Sequence, residues 1–328
     1  MAARKYQEAA AHWQTAGDRV GEAKALRGVA EALQFACDSQ ESVKTYERSL
    51  SLSRASADAD GERQSLASLC FLHAAHGVDE RALDECTRSL DLATKANDSR
   101  SEAEALNGFG VIYDSRDELE KALDSHGRAN AIWERLGDKR GQARSLKYIG
   151  FSYATMRDYP RALDAHRQSL ALWRAAGDSR NQIGTLVAMG FLYARISETQ
   201  ESLNLFYQAL TLNSAMRCHD LEGQLFSGFA YAYNDLGEQQ KSLLYYEQAF
   251  SAYKTQGDDW GQGAVKLEMG MIYFSSGKYD QALSNYQEAF QAYRRIGRHS
   301  SMSIVLREMG RVYDQRGDDT AALDYYGQ

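Results

Sequence analysis

Cys70, His73, His76 and Cys86 fall within 17 residues, and two thiols with two imidazoles are the donor types that hold a tetrahedral zinc ion. His126 and His166, 40 residues apart, could carry a proton near neutral pH. Gly261-Gln262-Gly263 shares two glycines with a dinucleotide-binding loop. Arg144, Lys147 and Arg195 lie in sequence close to Phe151 and Phe191, a set that suits a guest with an apolar side chain and an acidic group.

Most of these candidates lose their chemistry once the period of the chain is seen. Counting from Gly17, the sequence repeats every 40 residues, with Gly17-Asp18, Asn97-Asp98, Gly137-Asp138, Gly177-Asp178 and Gly257-Asp258 in register. Arg217-Cys218 and Gly297-Arg298 mark two imperfect copies. Cys70 and Cys86 then occupy columns that other repeats fill with Gly and with Tyr or His, so packing explains them and no metal is expected. His126 and His166 share a column with Tyr46, Phe206, Tyr246 and Tyr286, a helix-packing position. Trp13, Trp133 and Trp173 share one with Tyr253 and Tyr293, and these rings are expected to pack against the next hairpin. Gly261-Gln262-Gly263 lacks the third glycine and the preceding strand of a dinucleotide loop. No cofactor is expected. No convergent set of titratable groups marks an enzyme.

Within each unit, apolar residues recur at three- and four-residue spacing through two stretches of about 17 residues, the signature of a helical hairpin, helix A then helix B. Gly at the end of helix B can close it in the left-handed conformation, and the following Asp can cap the next helix A. Pro160, the only proline, sits in the first turn of a helix B, where a missing N–H costs nothing. A hairpin this short cannot bury its own apolar face, so the units must stack. The expected architecture is all-α, a solenoid over 1–328: a partial unit at 1–16, seven 40-residue units at 17–296 and an incomplete eighth at 297–328.

Columns show which faces are buried. Leu26, Leu66, Leu106, Leu146, Leu186, Phe226 and Leu306 form one, with Lys266 the exception. Four residues on stand Ala30, Cys70, Gly110, Gly150, Gly190, Ala230, Gly270 and Gly310; glycine inside a helix costs about 1 kcal/mol against alanine, so its recurrence implies close approach of helix B. Tyr113, Tyr153, Tyr193, Tyr233, Tyr273 and Tyr313 follow three residues later and are expected to fill the space between hairpins, each worth several kcal/mol.

This order of residues, seen in one unit as Leu267, Gly270, Tyr273, Ala282, Tyr286 and Ala289, resembles the tetratricopeptide repeat along the whole chain. It departs from the usual 34-residue unit by six residues and by lacking the proline at the end of helix B. Such Gly-Asp units look like those of kinesin light chains, spindle-orientation scaffolds and the sensory arms of bacterial signalling proteins. The resemblance implies a right-handed superhelix with helix A on its concave side, and partner binding rather than catalysis.

If helix A faces inward, the residue after the glycine column points into the groove. That column reads Glu31, Phe71, Val111, Phe151, Phe191, Tyr231, Met271 and Arg311, six apolar side chains between charged ends. Asn234 and Phe274 lie three residues beyond two of them, and Leu267 extends the apolar stretch of the seventh unit. Either these side chains form a ligand groove, flanked by Arg144, Lys147 and Arg195, or they pack on the adjacent helix A and the charges are a solvated face.

The net charge of -7 argues against nucleic acid as the main partner, and no apolar run approaches the roughly 20 residues that span a bilayer. Four cysteines, Cys37, Cys70, Cys86 and Cys218, are too few and too scattered for a disulfide scaffold; free thiols and a cytoplasmic location are expected. Leu323 and Tyr326 at one end and Tyr6 and Trp13 at the other leave apolar edges that could meet head to tail. The expected function is a non-enzymatic scaffold that captures a protein or peptide segment, with a regulatory arm of a longer signalling protein as the alternative.

Overall fold

The computed structural model describes residues 2–35, 39–76, 80–216 and 219–328, and among these all regular structure is helical. The chain divides into two compact units, Met1–Thr185 and Leu186–Gln328. The first holds α1 (Ala2–Ala16), α2 (Arg19–Phe35), α3 (Ser39–Ala55), α4 (Ala59–His76), α5 (Glu80–Ala96), α6 (Ser99–Ser115), α7 (Leu119–Leu136), α8 (Lys139–Thr155) and α9 (Tyr159–Ala175). The unit boundary falls inside α10 (Ser179–Arg195). The second unit continues with α11 (Thr199–Met216), a 3-10 turn at His219–Leu221, α12 (Glu222–Asp235), α13 (Gln239–Gln256), α14 (Asp259–Ser275), α15 (Tyr279–Arg295), α16 (His299–Gln315) and α17 (Asp319–Gly327). Even-numbered helices are the A helices and odd-numbered ones the B helices, and consecutive helices pack against each other within each unit.

The turn residues act as the sequence implies. Gly17, Gly137, Gly177, Gly257 and Gly297 are left-handed, and Ala57 and Asn97 take the same conformation at φ 54° and 52°. The next Asp caps helix A: Asp98 accepts from the Arg100 and Ser101 N–H groups, and Asp258 from Gly261 N–H at 2.9 Å. Pro160 stands in the first turn of α9. The A-to-B turns carry a second left-handed residue, Gly237, Gly277 and Gly317 in later copies but Asp117, Arg157 and Ser197 in earlier ones. Those three side chains hide the turn from a search for glycine.

The glycine column meets rings. A Cβ built on Gly110, Gly150, Gly190, Gly270 or Gly310 would lie 2.3 to 2.7 Å from His126, His166, Phe206, Tyr286 or Tyr326 respectively. Each ring comes from the same hairpin's helix B and fills the notch that a missing side chain leaves. The Leu column is core in Leu66, Leu106 and Leu186, and its exception, Lys266, reaches Glu288 at 3.0 Å while lying 4.4 Å over the Phe250 ring. Trp133 packs on Gly141 of the following helix, as that column implies. The tyrosine column is only half-buried: Tyr113, Tyr153, Tyr233 and Tyr273 lie under Lys121, Arg161, Lys241 and Lys278. Since half the ring stays in water, truncation there costs less than a full core deletion.

One expectation fails in α4 and α5. Cys70 and Cys86 are not free thiols but form a disulfide with their Cα atoms 4.8 Å apart. The column that places Gly110 against His126 places one sulfur against the other in this repeat, so a covalent bond replaces ring-in-notch packing. Cys37 and Cys218 lie outside the described residues, as does the side chain of His76.

Candidate functional site

In the first unit, Phe71 (α4), Val111 (α6) and Phe151 (α8) come from successive A helices and all keep part of their surface open; Phe151 is 38% exposed. Their inner edges are packed. Phe71 meets Tyr148 edge-on at 5.6 Å, and Phe151 meets His166 at 5.2 Å. Each ring therefore packs with one edge and keeps the other open.

The cations beside them differ in kind. Arg144 is committed, with a 3.4 Å ion pair to Glu104 and its guanidinium 4.9 Å over the Phe71 ring. Lys147 makes no hydrogen bond or ion pair among the described residues; its ammonium lies 5.2 Å from the Tyr148 ring and 6.0 Å from Phe151. Burial, then the like charges of Arg180 and Arg144, bring its pKa down to about 8, with Asp178 pulling the other way. Burial likewise pushes the Tyr148 hydroxyl up to about 12. At the α2 end, burial and then the charge of Glu104 raise the Glu31 carboxyl, with Arg100 and Arg27 opposing. The face thus carries apolar rings beside one ammonium with no carboxylate of its own.

In the second unit, Phe191 (α10), Tyr231 (α12) and Met271 (α14) are half-buried, with Phe191 edge-on to Phe206 at 5.5 Å and to Tyr231 at 6.2 Å. Arg195 is exposed at the end of α10 and Asn234 is exposed on α12. Phe274 lies under the Arg311 guanidinium at 5.0 Å, and the two line a cleft of about 430 Å³ with Tyr279 and Asp314. Glu268, absent from the sequence candidates, joins this face; burial raises its carboxyl and Arg195 opposes. A charged residue, repeated as Glu308, in a column otherwise of Gly, Ser, Tyr and Ala is its only signal in the sequence.

The zinc-like set does not assemble. Cys70 and Cys86 are spent in the disulfide, and His73 Nδ1 is 2.6 Å from Glu85 Oε2. Among the described residues no group of three or more metal-ligand side chains converges. The two histidines diverge. His126 Nδ1 meets Asn107 Oδ1 at 3.1 Å and its Nε2 meets Asp114 Oδ2 at 3.2 Å, whereas both ring nitrogens of buried His166 have no partner. Tyr6, Trp13, Leu323 and Tyr326 are exposed. No helix among the described residues is long and apolar enough to cross a membrane.

Helical hairpins with small residues opposite rings match a family model for the tetratricopeptide repeat over residues 141–215 and 262–328. Over those two stretches the chain is similar to tetratricopeptide repeats. Solved repeat proteins share the fold at low identity. A Rap protein complexed with competence and sporulation factor superposes with a TM-score of 0.65 at 11% identity, covering 94% of this chain and 96% of that one. NprR in complex with its cognate peptide NprX gives 0.65 at 14%, covering 84% of each. A signal transduction ATPase with a tetratricopeptide repeat sensor from Pyrococcus horikoshii gives 0.65 at 15%, covering 99% of this chain and 51% of that one. No curated protein matches the sequence.

Proposed function

We propose that this protein is a non-enzymatic scaffold that captures a peptide segment along its A-helix face. The observation that carries the reading is the row of half-open apolar side chains beside an ammonium without a carboxylate partner: Phe71, Val111, Phe151 and Lys147 in the first unit, with Phe191, Tyr231 and Met271 as a second row in the other. Open apolar surface gains free energy when a guest covers it, and polar groups placed among it fix orientation. Repeat proteins of this fold solved with a cognate peptide support the same use. Lys147 suits an acidic group on the segment, since Arg144 is already paired.

Peptides selected from a random library on the immobilised chain provide the probe. Replacing Phe151 by Ser, and in a separate variant Phe191 by Ser, is expected to weaken binding to the unit that carries the ring at least about tenfold while circular dichroism stays unchanged, because a few apolar anchors dominate the energy of a contact. Undiminished binding rejects the A-helix face. An acidic peptide so selected reports Lys147 through pH. A bound carboxylate favours the charged ammonium, so affinity should be highest below pH 8 and fall by up to about tenfold per unit above it. Calorimetry at pH 7, 8 and 9 measures this, and Lys147→Met should flatten the profile.

A second reading, a sensory arm of a longer signalling protein, draws on the similarity to the sensor-bearing ATPase, of which this chain covers 51%. Sequencing the gene past the codon for Gln328 decides it, since an output domain in frame supports the arm and an immediate stop codon opposes it.

A further inference from the structure

Glu268 occupies a column that reads Gly108, Tyr148, Ala188, Gly228, Glu268 and Glu308. Side chains here project onto the ring supplied by the preceding helix B. A Cβ built on Gly228 would lie 2.4 Å from Phe206, and Tyr148 stacks on His126 with centroids 5.3 Å apart. The same register directs Glu268 at Tyr246 of α13.

Its neighbour in the column shows what such a carboxylate needs. Glu308 is buried and held by Arg307 at 3.2 Å and Arg311 at 2.6 Å. One repeat earlier, the positions of those two arginines hold Leu267 and Met271, both half-buried on the A-helix face. Glu268 is itself half-buried, and no hydrogen bond or ion pair among the described residues holds its carboxylate. The charged and titratable groups around it are Arg195 of α10, Tyr246 of α13, and Tyr286 and Tyr293 of α15, with Tyr231 of α12 beside Tyr246. The eighth repeat neutralises its glutamate from its own chain, and the seventh leaves the same carboxylate beside two apolar side chains.

We propose that Glu268 is a cation subsite of the second unit, taking the ammonium or guanidinium of a basic side chain whose alkyl stem lies on Leu267 and Met271. The proposal rests on reading the A-helix face as the peptide-binding surface. The head group supplies the charge-assisted hydrogen bonds that Glu308 receives from Arg307 and Arg311. The stem covers apolar surface, as long basic side chains do elsewhere, and the Tyr246 ring adds cation attraction. Because only the ionised carboxylate binds, affinity falls as pH drops through the raised Glu268 pKa.

The probe is n-butylammonium, with neutral 1-butanol as its isostere, titrated into the full chain carrying ¹³C-labelled glutamate carboxyl and methionine methyl groups. Saturable shifts of the Glu268 carboxyl and Met271 methyl are expected, with n-butylammonium binding about tenfold tighter than butanol. Glu268→Gln should reduce it to the butanol level, while Glu288→Gln, whose parent side chain pairs with Lys266, should leave it unchanged. Equal binding of butanol, or full affinity in Glu268→Gln with native circular dichroism, overturns the subsite. No peptide enters this test, so its failure leaves the peptide-binding reading standing, and rejection of that reading by the serine variants leaves the cation result standing.

Discussion

Gly110→Ala is expected to lower stability by about 3 kcal/mol, although alanine is the better helix former by about 1 kcal/mol. The new methyl would sit 2.3 Å from His126 Cε1, and the ring cannot step aside. Asn107 holds one of its nitrogens, Asp114 holds the other, and Tyr148 stacks on its face. Relief must come from shifting α6 against α7, which disturbs the Ala103, Leu106 and Trp133 core beneath. Gly127→Ala supplies the control, because a Cβ there meets nothing within 4 Å, and α7 should gain about 0.5–1 kcal/mol of helix propensity. Thermal unfolding of the two variants should therefore move in opposite directions. Equal shifts would refute ring-in-notch packing as the reason for the glycine column.

That column shows what was legible in the sequence. Period, hairpin and helix caps follow from residues whose conformations are locally determined, and Gly137, Asp138 and Pro160 act as their types dictate. The need for close approach at Gly110 was also legible, but not the identity of the approaching group, because a column gives a place along a helix and not the rotamer of the side chain opposite. The Cys70–Cys86 bond went unseen for a related reason. Sixteen residues of separation resemble no motif, and only the notch geometry shows that the Gly column and the ring column face each other. On the A-helix face, the half-open state of Phe151 and Phe191 agrees with their register. The division of labour between Arg144 and Lys147 does not follow from register. It depends on Glu104 lying within reach of one and not of the other, a relation across two helices.

The two histidines separate column from environment most sharply, since the sequence presents them as equivalent and the packing does not. His166→Phe should stabilise the protein. Its imidazole is fully buried, neither nitrogen has a partner, and Phe206 already fills the same notch opposite Gly190, so phenyl removes an unmet polar cost of about 1–3 kcal/mol without a change of shape class. The gain should grow in acid. Burial and then Lys147 hold the His166 pKa down at about 4, below its unfolded value of about 6.5, so the unfolded chain takes up a proton first and the native protein loses about 2 kcal/mol between pH 7 and pH 5. Phenylalanine removes that slope. His126→Phe should instead cost about 2 kcal/mol at pH 7, because Asp114 Oδ2 loses the imidazole and Asn107 Oδ1 is left with Ser145 Oγ alone, while the Tyr148 stacking survives. Denaturant unfolding of both variants at pH 7 and pH 5 reads the contrast, and like signs at pH 7 would show that the notch accepts any flat ring regardless of its hydrogen bonds.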